Sequence, residues 1–181
     1  MAAIGKAGWA VLQGDSAVIF VTVGAQMPFD RLVKTVDQWA RDNNRDDVFA
    51  QIGQSDYRPA NIQWTNFLGP EEFKCKFEAA KVIVAHAGTG SIITALQLGK
   101  PVLVMPRRSN LRETRNDHQI ATSEQFQRFD SVEVAWDESE LVLKLDDVDN
   151  LRGSQRVGSY ASSELVGAIR KFIDGVHELG E

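Results

Sequence analysis

The apolar positions of this chain fall into two alternating rhythms. Short, nearly continuous apolar runs occur at 18–23, 48–52, 62–67, 82–84, 102–105 and 131–135. Runs of that length, bounded by polar or glycine-containing stretches, predict buried strands. Between them, apolar residues recur every three or four positions. Phe29, Leu32, Val33, Val36, Trp39 and Ala40 predict a helix that Pro28 starts and that Asn43 and Asn44 end. Further helices are predicted over 70–80, from the turn at 88–91 to Gly99, and over 116–129, 138–145 and 159–176. Strands alternating with helices predict an α/β fold with one doubly wound, mostly parallel sheet. It is expected over 17–181 and includes the terminal helix, after a weakly patterned extension over 1–16.

The stretch KVIVAHAGTGSIITALQLGKPVLVMP, at 81–106, reads as strand, small-residue turn, helix and strand in one unbroken unit. Gly88, Thr89, Gly90 and Ser91 let bare backbone approach a ligand at a helix start. A helix start offers unpaired N–H groups and roughly half a positive charge, which suits a phosphate. The better-known glycine motifs do not fit. A dinucleotide fingerprint needs a third glycine where this chain has Ile93, and an acid after the next strand where it has Pro106 and Arg107. A Walker loop needs a Gly-Lys-Ser/Thr ending, which is absent. The alternative reading is a tight turn whose glycines serve packing alone.

Composition narrows the class. The chain has 181 residues, 43% of them hydrophobic and 25% charged, which suits a single globular domain. No apolar run approaches the roughly 20 residues of a spanning helix, and Gly5, Gly8 and Gly14 interrupt the N-terminal stretch, so a cytoplasmic location is expected. The single cysteine, Cys75, lies in a helical pattern and is expected to be a core or half-buried thiol. No His or Cys spacing resembles a zinc site, and no metal is expected. A net charge of −5 argues against nucleic-acid binding. Lys100, Arg107, Arg108, Arg112 and Arg115 nevertheless gather just after the glycine unit, whereas most of the acids at 137–149 are expected to solvate a surface.

Loops at the carboxyl ends of parallel strands face one shared crevice in doubly wound sheets. Here such loops contain Gly24 to Asp30, Gly53 to Tyr57, His86 to Ser91 and the segment after Met105. Glycine turns and a helix start suit a diphosphate. Gln26, Gln54, Asn116, Asp117, His118 and Gln119 add donors and acceptors that could read hydroxyl groups. Together they suggest a nucleotide-sugar site.

The strings VTVGAQMPFDRLV, HAGTGSIITALQLGKPVLVMPRR and RNDHQIATSEQF, in this order, resemble the C-terminal, donor-binding domain of family 28 glycosyltransferases. Within that family the chain is most similar to the small subunits of bipartite bacterial exopolysaccharide glycosyltransferases. The resemblance implies a Rossmann-like fold, the donor-binding half of a GT-B glycosyltransferase. It also implies roles for matching residues. Gly88, Thr89, Gly90 and Ser91 would hold the donor diphosphate; Asn116, Asp117, His118 and Gln119 would read sugar or ribose hydroxyls; Gly24, Gln26, Phe29 and Asp30 would face the cleft between two halves. Where relatives have a glutamate that grips ribose, this chain has Thr94.

The function implied is inverting transfer of a sugar from a UDP-sugar donor to a lipid-diphosphate-linked acceptor, in exopolysaccharide or capsule biosynthesis. UDP-sugar would be a substrate, and no cofactor is expected. A membrane-anchored, acceptor-binding partner subunit would complete the active site and bring this chain to the inner face of the cytoplasmic membrane. Leu165, Val166, Ile169, Phe172, Ile173 and Val176 form an apolar stripe for docking that partner or for ordinary packing on the chain's own sheet. No catalytic residue is assigned: His86 and His118 read as binding and orienting groups, and the general base is expected from the partner. Arg107 or Arg115 could pair a uronate carboxylate, a phosphate or only solvent. The alternative function is a non-catalytic nucleotide-sugar-binding subunit that activates a partner transferase.

Overall fold

Every residue of β1 (Ile19–Thr22) is buried, as expected of a strand covered on both faces. The computed structural model describes residues 19–154; the extension over 1–16 and the helix over 159–176 lie outside the described residues. Successive side chains of β1 serve opposite layers. Ile19 and Val21 join Leu32, Val33, Val36 and Trp39 of α1 (Asp30–Asp42) and Leu141 and Leu145 of α5 (Glu138–Asp146). Phe20 points the other way, towards Phe77 of α2 (Pro70–Ala79) and Ile92, Ala95 and Leu96 of α3 (Thr89–Leu98). Phe73 and Phe77 meet the Phe20 ring edge-on, with centroids 5.4 and 6.0 Å away. Burying such a ring contributes about 2–3 kcal/mol.

The remaining strands are β2 (Val48–Gln51), β3 (Gln63–Thr65), β4 (Val82–His86), β5 (Val102–Met105) and β6 (Val132–Val134). They form a six-stranded sheet in the order β3-β2-β1-β4-β5-β6, with every neighbouring pair parallel. This is the doubly wound α/β architecture that the alternating rhythm predicts. The direction of winding reverses between β1 and β4, so a crevice opens between their carboxyl ends.

Several boundaries differ from the sequence reading for local reasons. The helix expected from 116 starts two residues later, as α4 (His118–Phe126). Asp117 is held short of helical geometry because its carboxylate accepts bonds from the Ser109 amide and hydroxyl, both at 2.8 Å. The helix read from Pro28 starts at Asp30, and it stops as expected: Asn43 caps it and Asn44 takes φ 51°. Cys75 is exposed, not a core thiol. Phe73 and Phe77 share the inward face of α2, and a residue midway between them points to the far side. Three of the acids at 137–149 have structural partners as well. Asp137 caps α5 by accepting from the Glu140 amide at 2.9 Å, Asp146 accepts from Trp39 Nε1 at 2.9 Å, and Asp149 pairs with Arg45 at 2.8 Å.

Candidate functional site

A crevice of about 350 Å³ lies at the switch point of the sheet. The loop after β1 contributes Val23, Ala25, Gln26 and Met27; His86 and Gly88 come from the β4 turn. Arg107, Thr114, His118 and Gln119 close it from the β5 side. Two helices begin here. α3 starts at Thr89 after Gly88, which has no side chain to cap it, and α4 starts at His118, with no side-chain cap from Asp117. Neither has an acidic residue in its first turn. Both helix starts have N–H groups without intrahelical partners; of their residues, Gly88 before α3 and His118 and Gln119 of α4 line the crevice, whereas Thr89, Gly90 and Ser91 lie outside its lining. No carboxylate lines the crevice among the described residues.

His86 fills the centre of the switch point. An added Cβ at Gly88 falls 2.2 Å from its Nε2, and one at Gly24 falls 2.7 Å from its Cε1. Gly24 also has φ +76°, a conformation that side-chain-bearing residues rarely adopt. The two glycines thus serve the imidazole as well as any ligand. Gly90 is different: its Cβ direction is open, with nothing within 4 Å. Burial lowers the His86 pKa to about 4, with a further push from the positive charge of Arg107, and its Nδ1 has no hydrogen-bond partner. His86 is neutral at pH 7. The unfolded chain takes up this proton near pH 6.5, and the folded protein resists it until about pH 4. Stability is therefore full above about pH 6.5, is lost as pH falls to about 4, and then levels off. The expected loss is on the order of 3 kcal/mol. Urea melts from pH 7 to 4.5 will show it, and His86→Gln will flatten the slope; an NMR titration placing His86 above pH 6 would contradict it.

Arg107 was a candidate for ligand or solvent contact. It is 4% exposed, and its guanidinium instead braces the β1 loop. Its Nη2 donates to the carbonyls of Val23 at 2.8 Å and Met27 at 2.5 Å, and the Phe29 ring lies 5.1 Å from its centre. Burial lowers its pKa to about 10, partly offset by Glu113, so it remains charged, and its Nε has no partner. Gln119, also buried, accepts the Arg107 amide on Oε1 at 3.1 Å, which leaves its amide nitrogen for other use.

The other candidates divide. Gln26 and His118 line the crevice, and Nδ1 of His118 contacts Oδ1 of Asn116. Thr89 and Gly90 are exposed on the first turn of α3, with half-buried Ser91 beside them. Phe29, expected on the cleft, is buried in the core, because the apolar stripe of α1 starts with it. Asp30 accepts Ser55 Oγ at 2.5 Å and ties α1 to the β2 loop. Gly53 is fixed in a turn against β3, its amide bonded to the Asn66 carbonyl at 2.9 Å, and neither it nor exposed Gln54 lines the crevice. Asp117 closes its own loop, and Arg115 is exposed away from the crevice lining. The Thr94 hydroxyl donates to the Gly90 carbonyl at 2.8 Å, within its own helix.

Sequence reasoning missed Thr114, Met27 and the pair Arg31 and Glu113 behind the β5 loop. It also missed Asp37, a lone carboxylate inside the apolar stripe of α1, 2% exposed. That interruption of the stripe was the available signal.

Solved structures share this fold. The kitacinnamycin glycotransferase is 22% identical, with a TM-score of 0.58 over 82% of this chain and 38% of its own. The solution structure of ALG13 is 19% identical, with a TM-score of 0.57 over 81% of this chain and 92% of its own. Acinetobacter baumannii MurG is 17% identical, with a TM-score of 0.55 over 76% and 42%. The chain thus spans well under half the length of two of the three. No curated protein matches it. The model of the glycosyltransferase family 28 C-terminal domain matches residues 18–160, and the chain belongs to that family.

Proposed function

We propose that this chain is the donor-binding, catalytic subunit of a two-component glycosyltransferase. In this reading it moves a sugar, with inversion, from a UDP-sugar to a lipid-diphosphate-linked acceptor in exopolysaccharide or capsule biosynthesis. The observation that carries it is that Gly88, just before α3, and His118 and Gln119, which open α4, line one crevice at the switch point that holds no carboxylate among the described residues. Such an opening suits a diphosphate, both as bound donor and as leaving group. The amides of Thr89, Gly90 and Ser91 would hold it. Arg107, committed to the Val23 and Met27 carbonyls, supplies positive charge from the wall of the crevice. Gln26, His118 and the free amide of Gln119 are placed to read hydroxyls.

The described residues form one sheet with its helices, and in this reading the acceptor is held across the crevice by a second half. We assign that role to a membrane-anchored partner, consistent with three exposed apolar side chains on or near the carboxyl rim. Phe67 follows β3, Leu111 lies in the β5 loop and Ile93 in the early turns of α3; they are 46%, 51% and 39% exposed. Among the described residues no helix is long and apolar enough to cross a membrane, and the partner would bring this chain to the inner face of the cytoplasmic membrane.

Among the described residues no carboxylate lines the crevice, and this, together with the buried, weakly basic His86, favours a base from the partner. The same observation gives the accessory reading its support, in which this chain binds nucleotide sugar and activates a transferase. One assay separates them: transfer of labelled sugar into lipid, with each subunit alone and with both. Product only with both, together with UDP binding by this chain, is the expected result. A partner active alone at the full rate would reduce this chain to an accessory.

A further inference from the structure

The loop over 106–117 carries Arg107 and Thr114 into the crevice and delivers His118 and Gln119 just beyond it. One carboxylate organises its interior. Glu113 Oε1 accepts Arg31 Nε at 2.7 Å, and its Oε2 accepts Arg31 Nη2 at 2.8 Å and the Arg108 amide at 2.9 Å. The Glu113 amide returns a bond to the Arg108 carbonyl at 3.2 Å. Arg31 extends the tie, since Nη2 also donates to the Pro106 carbonyl at 3.0 Å and Nη1 reaches Glu138 at 3.3 Å. The side chains of Arg31 and Glu113 are only 11% and 13% exposed, so the pair is screened little by solvent. The Arg31 guanidinium is held above its ordinary pKa: burial opposes this, and the bonds and charges of Glu113 and Glu138 outweigh it. A forked pair of this kind fixes orientation as well as distance.

We propose that Arg31 and Glu113 are a positioning pair that sets the β5 loop for ligand binding, holding Thr114 and the start of α4 against the crevice. The proposal rests on the donor-binding reading above. Two simpler roles make opposite or flat predictions. If Glu113 were only a negative charge near an anion site, removing it would tighten binding of a nucleotide diphosphate. If it only stabilised the fold, its loss would lower the melting temperature and leave the affinity of the folded protein unchanged. A positioning role weakens binding despite the loss of a repelling charge.

The test measures UDP binding by calorimetry on wild type, Glu113→Gln and Glu138→Gln, at temperatures where each is folded. Glu113→Gln should weaken UDP about tenfold. Glu138→Gln should leave affinity unchanged, because Glu138 touches Arg31 at the rim and none of the loop. Should Glu113→Gln fail to fold, Arg31→Lys serves, since it keeps the charge and loses the fork; it should weaken UDP several-fold. Unchanged or tighter binding in these variants overturns the positioning role and leaves the donor-binding reading standing. A wild-type protein that does not bind UDP overturns both.

Discussion

Gly90→Leu should yield a protein that folds normally and no longer holds UDP, with affinity down more than about 100-fold. The Cβ of a leucine there is accommodated, for beyond its own helix backbone and chain neighbours no atom lies within 4 Å of the Cβ position at Gly90. It should even help the helix slightly, since replacing glycine inside a helix gains about 0.5–1 kcal/mol. Its side chain, however, leans towards the helix N-terminus, as every helical Cβ does. That places it over the amides of the first turn of α3, where the diphosphate is proposed to sit. Gly88 makes a poorer test. A Cβ there falls 2.2 Å from His86 Nε2, so the imidazole must move and loss of binding would follow from damage to the switch point itself. Calorimetry with UDP, beside a thermal melt, decides the matter. Affinity for UDP within about threefold of wild type, in a folded Gly90→Leu variant, removes α3 from the diphosphate site.

The contrast between these glycines shows what a sequence conveys about a site. The turn at 88–91 was legible because glycine and small polar residues between a β-branched run and a helical run have few other uses. Both glycines therefore looked alike, yet one makes room for a histidine and the other faces open space. Sheet order was not legible: period and length define strands, and only packing places β4 beside β1. Charge was legible in sign but not in direction. Arg107 follows a strand end, where ligand arginines occur, but its buried guanidinium turns back on the β1 loop. Asp30 and Asp117 have similar histories, their carboxylates taken up by Ser55 and Ser109. Polar residues at loop starts satisfy backbone and neighbours before they are available to a ligand. Glu113 and Arg31, 82 positions apart, meet only in the fold.

The largest loss of stability should come from Asp37→Ala, about 3 kcal/mol, or a fall of roughly 10 °C in melting temperature. Asp37 is 2% exposed and accepts five hydrogen bonds. Oδ2 takes the Tyr57 hydroxyl at 2.6 Å, the Ala60 amide at 3.2 Å and Asn61 Nδ2 at 3.1 Å; Oδ1 takes the amides of Asn61 at 2.8 Å and Ile62 at 3.2 Å. The later part of the connection from β2 to β3, from Tyr57 to Ile62, thus hangs on one carboxylate of α1, while Asp30 holds Ser55 before it. Alanine strands these donors, among them the amide of buried Ile62. Asp37→Asn should cost less, since one oxygen survives, and Tyr57→Phe about 1 kcal/mol, since one bond is lost. Burial alone would raise the carboxyl pKa, but the bonds from Tyr57, Asn61 and Ala60 outweigh it and hold it below the ordinary value. A folded pKa below the unfolded one means stability that is present above about pH 4 and lost as pH falls through the folded value. The Asp37 contribution is separable from that of His86 because wild type and Asp37→Ala share the latter. Below about pH 4, wild type should lose more stability than Asp37→Ala. Equal slopes in that range, or an alanine variant within 1 kcal/mol of wild type by urea unfolding, would show that water replaces these bonds and that the β2–β3 connection is held by its apolar contacts.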